Sequence, residues 1–146
     1  MTTKELEFLV LACEASDAHE GGSLFIGEVE PLIAAMNQKG YTQKDVWHCQ
    51  LALKRSGHIR LHGNYNVEDV DPTWSQAAPE FTITPVGLRW WFIRKYGQSR
   101  YAKMVDDVRR TRDECMKSGI MTVAAWAEKL NMPLLLVQKI MHAEGL

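Results

Sequence analysis

The sequence predicts a mostly α-helical protein with one small β-hairpin, and three observations carry that prediction. Apolar side chains recur at the three-and-four spacing of an amphipathic helix along most of the chain. Thr, Ser and Gly stand where those stripes begin and end. Two short segments toward the middle, around Ile59 and around Phe81, read as the paired strands of the hairpin.

At 146 residues the chain can bury a core without disulfides, either as one ordinary domain or as a small domain with a helical appendage. No apolar run approaches the roughly 20 residues needed to cross a bilayer. Met1, Thr2, Thr3 and Lys4 lead into a charged amphipathic helix rather than a secretory signal, so a cytoplasmic location without membrane contact is expected. Cys13, Cys49 and Cys115 are odd in number and far apart, which predicts buried reduced thiols rather than a disulfide framework.

The first helix is expected over residues 3–16, with Leu6, Leu9, Val10 and Cys13 on one stripe and Glu5 and Glu7 in the first turn, where acids suit the helix dipole. Leu24, Phe25 and Ile26 form a candidate short strand. A second helix over residues 28–39 carries Val29, Leu32, Ile33 and Met36, accepts Pro31 in its first turn and stops at Gly40. Thr42 is the expected N-cap of a third helix, whose inward stripe is Val46, Cys49 and Leu53 and which Ser56 and Gly57 close. His58, Ile59, Arg60, Leu61 and His62 alternate as a strand, and a long polar loop over residues 63–79 leads to its partner, Phe81, Thr82 and Ile83.

Thr84 and Pro85 repeat the cap-and-first-turn signature and open a helix through Tyr96 that ends at Gly97. Another helix is expected over residues 100–117, stopped by Gly119. Thr122 then caps the first of two short helices, with Asn131 able to take the left-handed conformation between them.

Helix, strand, helix, turn, helix and hairpin is the order of elements in winged-helix proteins, and residues 3–84 resemble that superfamily. Val29, Leu32, Ile33, Gly40, Val46, Leu53, Gly57, His58 and Ile59 carry the likeness. The run Ile83, Thr84, Pro85, Val86, Gly87, Leu88 looks like the strand-to-helix junction that closes many bacterial winged-helix regulators. At the C-terminus, Ala127, Leu130, Asn131, Met132, Val137 and Ile140 are similar to a general helix-turn-helix pattern. The expected architecture is therefore a winged helix-turn-helix over residues 1–97. A C-terminal helical region, residues 98–146, follows and contains a second helix-turn-helix-like pair. The resemblance implies a sequence-specific protein that binds double-stranded DNA, a transcriptional regulator of bacterial, phage or plasmid type.

The residues themselves suggest where such binding would occur. Stepping 100° per residue leaves Lys44, His48, Leu51 and Arg55 centred on the outer face of the third helix, flanked by Gln43, Trp47 and Lys54. Lys, Arg and Gln can bond base edges or phosphates, and Leu51 or Trp47 could touch a thymine methyl. The net charge is only -1, but it is unevenly spread: residues 1–30 hold one basic and seven acidic side chains. Residues 89–112 reverse this and supply Arg100 and Lys103 as candidate phosphate contacts. The plain alternative is a solvated helix face. Against the DNA reading, the expected wing tip of Val67, Glu68, Asp69, Val70 and Asp71 is acidic and would be repelled by phosphates.

The helix over residues 85–96 shows two opposed apolar faces, Val86, Trp90 and Ile93 against Leu88, Phe92 and Tyr96, with Trp91 between. Leu88, Trp91, Phe92 and Tyr96, together with an outward Leu135 amid Gln138, Lys139 and His142, are the expected homodimer or partner contacts, unless the C-terminal helices cover them within one chain. Leu134 sits at the border of that last helix's core face.

Catalysis has no positive support, and no cofactor is expected. There is no Gly-flanked Ser elbow and no P-loop, and the pairs Asp106/Asp107 and Asp113/Glu114 diverge on a helix. His58 and His62 are about 13 Å apart on a strand, too far to share one metal ion. The alternative function is a winged-helix adaptor that binds a protein partner through exposed leucines and no nucleic acid.

Overall fold

The computed structural model of the chain describes residues 1–18, 25–26, 29–63 and 76–146. Leu24, the polar loop that follows the first helix, and the acidic tip around Glu68, Asp69 and Asp71 lie outside the described residues. Among the described residues the protein has seven helices and one small antiparallel sheet. None of these helices is long and apolar enough to cross a membrane.

The chain folds as two compact units, Met1–Gly87 and Leu88–Leu146, so the division falls within a helix rather than after it at residue 97. The first unit begins with α1 (Thr3–Ala18), which buries Phe8, Leu9, Ala12, Cys13 and Ser16. Thr2 starts it: the Thr2 N–H donates to the Glu5 carboxylate at 3.1 Å, and the Glu5 N–H donates to the Thr2 hydroxyl oxygen at 3.3 Å. α2 (Glu30–Gln38) carries Pro31 in its first turn, buries Leu32 and Met36, and is stopped by Gly40 at φ +91°.

Thr42 and Asp45 form a capping box at the start of α3 (Gln43–Arg55), each accepting a hydrogen bond from the other's backbone N–H. α1, α2 and the strand β2 (Ile59–Leu61) all pack against α3. On β2, Ile59 and Leu61 point inward and Arg60 outward. β3 (Phe81–Ile83) pairs antiparallel with β2, Ile59 opposite Ile83 and Leu61 opposite Phe81. The expected hairpin gains a third strand, because β1 (Phe25–Ile26) pairs with the other edge of β3 and makes it the central strand. Below the sheet, Phe8 of α1 meets Phe81 of β3 with ring centroids 5.7 Å apart.

The turn from β3 into α4 (Pro85–Tyr96) is built from local bonds. The Thr84 N–H donates to the His58 carbonyl at 3.1 Å, and the Thr84 hydroxyl donates to the Gly57 carbonyl. The same hydroxyl oxygen accepts from the Gly87 N–H at 3.2 Å, capping α4. Gly87 has to be Gly because a Cβ there would stand 2.2 Å from the His58 carbonyl oxygen and 2.8 Å from Ile83 Cγ2.

In the second unit α5 (Gln98–Lys117) packs on α6 (Val123–Leu130) and α7 (Leu134–Glu144). Its core holds Tyr101, Val105, Val108, Cys115, Trp126, Ala127, Val137 and Ile140. Phe92 stacks on Tyr101 at 5.7 Å, the Tyr101 hydroxyl donates to Glu144 at 2.7 Å, and the Trp126 indole donates to the Ile120 carbonyl at 2.9 Å. Thr122 caps α6, and Asn131 ends it at φ 53°, a left-handed conformation that Asn tolerates better than most residues.

Candidate nucleic-acid interface

The candidate surface is the solvent-facing arc of α3. Its start is held firmly, because Asp45 both completes the capping box and pairs with Lys4 of α1 at 3.1 Å. The Thr42 N–H, aided by the hydrogen bond from Lys4, holds the Asp45 carboxyl down at about 2. The only acid on α3 is thereby tied to a cation at the helix entrance.

Gln43, Lys44, His48 and Arg55 are exposed, and Lys54 is half-buried. Lys44, His48 and Arg55 fall within about 40° of arc, and about 16 Å separates Lys44 from Arg55 along the axis. Among the described residues neither Lys44 nor Arg55 enters an ion pair.

Two residues expected on that face are elsewhere. Trp47 is 1% exposed and Leu51 8%, so neither presents a side chain for a thymine methyl. The buried set of α3 is Val46, Trp47, Cys49, Gln50, Leu51 and Leu53, an arc of roughly 200°, because α1, α2 and β2 cover the helix from several sides. A wheel centred on Val46, Cys49 and Leu53 assumes cover from one side only and misplaces Trp47 and Leu51. Gln50 is a polar member of this core that the apolar pattern could not indicate. Its side-chain N–H donates to the Ala78 carbonyl at 3.0 Å, and its oxygen accepts from the Ala78 N–H at 2.7 Å. A buried amide satisfied on both sides by backbone pins the approach to β3 against α3.

The basic stretch over residues 89–112 divides in two. Arg109, Arg110 and Arg112 are paired with Asp106, Asp107 and Asp113. Arg100 and Lys103 are exposed on the first turns of α5, in a segment with no acid between residues 81 and 105. There the guanidinium of Arg100 lies 5.5 Å above the Tyr96 ring, which also carries Lys95 at 5.4 Å, and Arg94 lies over Trp90. Lys44, His48 and Arg55 belong to the first unit, Arg100 and Lys103 to the second.

The expected partner contacts are mostly interior. Leu88, Trp91 and Phe92 are buried, so they offer nothing to a second molecule. Phe92 is stacked on Tyr96 and Tyr101 within its own unit, and Tyr96 itself is half-buried. On α7, Leu135 is half-buried rather than outward, Leu134 is the exposed leucine at 42%, and Lys139 is buried at 2% exposure. The buried face of α7 follows Val137, Lys139 and Ile140, turned by about half a residue step toward Lys139 from the face that the apolar residues alone define.

The histidines of the sheet are engaged separately. His58 Nδ1 is 2.7 Å from the Ser56 hydroxyl, and His62 Nε2 bonds the Thr82 hydroxyl. Burial pushes the Cys49 thiol up to about 12, far from the reactive thiolate range, and all three cysteines are buried and unbridged. Among the described residues no group of three His, Cys, Asp or Glu side chains is placed to hold a metal ion. Compared with models of protein families, with curated proteins and with solved structures, the chain matches none.

Proposed function

We propose that the protein is a sequence-specific, double-stranded-DNA-binding regulator of winged-helix type that lays α3 in the major groove. The observation that carries this reading is the exposed arc of Lys44, His48 and Arg55, whose lysine and arginine enter no ion pair among the described residues. Such side chains can donate to guanine acceptors or to phosphates, and Gln43 can pair with adenine at the helix start. Arg100 and Lys103, exposed on the second unit, are a separate set of candidate phosphate contacts. The order of elements, with β2 and β3 following α3, supports the winged-helix reading. Burial of Trp47 and Leu51 weakens the adaptor alternative, since it removes the apolar side chains from the outer face of α3.

Binding of a duplex library by the purified chain, followed as a function of salt, tests the proposal. Lys44→Ala and Arg55→Ala are each expected to weaken the selected duplex roughly tenfold, or to lower the salt slope by about one if the contact is to phosphate. Unchanged affinity in the double variant sinks α3 as the reader. Absence of salt-dependent binding by the parent chain favours the adaptor.

A further inference from the structure

On α5, Asp106, Arg110, Asp113 and Lys117 follow one another at spacings of four, three and four residues, which places them on a single stripe within about 60° of arc. All four are exposed, and with Arg109 and Glu114 they line a shallow trough of about 490 Å³. Their charges run negative, positive, negative, positive. Read backwards from Lys117, the same stripe runs positive, negative, positive, negative, so it is complementary to itself in reverse.

We propose that α5 is a self-association surface on which a second copy of this chain docks its own α5 antiparallel about a two-fold axis. The axis passes between Thr111 and Arg112, the midpoint of the stripe. Asp106 then faces Lys117 of the second copy and Arg110 faces Asp113, and the symmetry repeats both pairs. A parallel two-fold pairing would set Asp106 against Asp106 and Lys117 against Lys117, so the charge order selects one orientation as well as one partner. The methylene stems of Arg110 and Lys117 supply the apolar cover that charges alone do not.

Within one chain Asp106 is engaged by Arg109 at 3.6 Å, Arg110 by Asp107 and Asp113 by Arg112 at 3.0 Å, but these are solvated pairs within a single turn that exchange readily for contacts across the interface. The surface is distinct from Leu88, Trp91 and Phe92, which are interior, and it does not depend on whether α3 binds DNA.

Sedimentation equilibrium of the full chain tests it. At high protein concentration and low salt a dimer is expected, dissociating as salt screens the pairs. Asp106→Lys is expected to weaken it roughly tenfold or more by setting like charges opposite each other. Adding Lys117→Asp to the same chain restores the pairing. Both positions are exposed, so unchanged helicity by circular dichroism reports that the variants remain folded. A chain that stays monomeric at low salt, association indifferent to Asp106→Lys, or failure of the double variant to recover each overturns the proposal.

Discussion

α3 and α7 present the same puzzle in sequence, a helix that closes a pair and carries leucines among polar residues, and the fold resolves them in opposite ways. On α3 the leucine goes in and the cations stay out: Leu51 is buried, while Lys44 and Arg55 are exposed. On α7 a leucine stays out and a cation goes in: Leu134 is exposed and Lys139 is buried. The starts differ too, a reciprocal Thr42/Asp45 box on α3 against Pro133 with no side-chain cap on α7. α3 is wrapped by two helices and a strand, leaving a narrow charged arc, whereas the exposed side of α7 carries Leu134, Gln138 and His142. A polar outer face therefore belongs to the helix with the larger buried arc, which is why the first unit carries the better candidate reader.

The largest effect expected from this contrast is at Trp47. Trp47→Ala should lower the unfolding free energy by about 3–5 kcal/mol, whereas Leu134→Ala should change it by no more than about 0.5 kcal/mol, both read from urea denaturation. Similar small losses at the two sites would mean that Trp47 is a surface residue after all. Next in size is Gly87→Ala, expected to destabilise by about 1–3 kcal/mol because the new Cβ collides with the His58 backbone oxygen. A neutral outcome there would show that the Thr84 junction yields easily.

The smallest concerns pH. Asp45 is held at about 2 in the folded chain and lies near 4 when unfolded, so its contribution is present above pH of about 4 and is lost as pH falls through about 2. The stability gap between the parent protein and Asp45→Asn should accordingly shrink as acid is added across that window. A gap that stays constant would disconnect the Thr42 and Lys4 hydrogen bonds from the charge of Asp45.

Much of the fold is legible along the chain. Thr42, Thr122, Asn131, Gly40 and Gly57 mark helix ends where expected, and β3 and α4 occupy the anticipated residues. The pairing of β1 with β3 is not legible, since two residues carry no register and their partner lies far along the chain. Of the candidate reader, Lys44, His48 and Arg55 are where the helical wheel puts them, Gln43 is exposed at the helix start, Lys54 is half-buried, and Trp47 and Leu51 are not on the face at all. Gln50 leaves no apolar signal, because its burial is satisfied by backbone groups of Ala78, 28 residues away.

These outcomes share one physical cause. A cap or a left-handed stop works by satisfying backbone groups within about four residues, so Thr42, Asp45, Thr84 and Asn131 declare their roles without any knowledge of the rest of the molecule. The angle at which a helix is turned is settled by everything packed against it, and for α3 that means α1, α2 and β2 together. Apolar spacing names residues that lie within a buried face but fixes neither its centre nor its width. The exposure of Lys44 and Arg55 beside a buried Leu51, and the burial of Lys139, are therefore properties of the packed chain and not of any one helix.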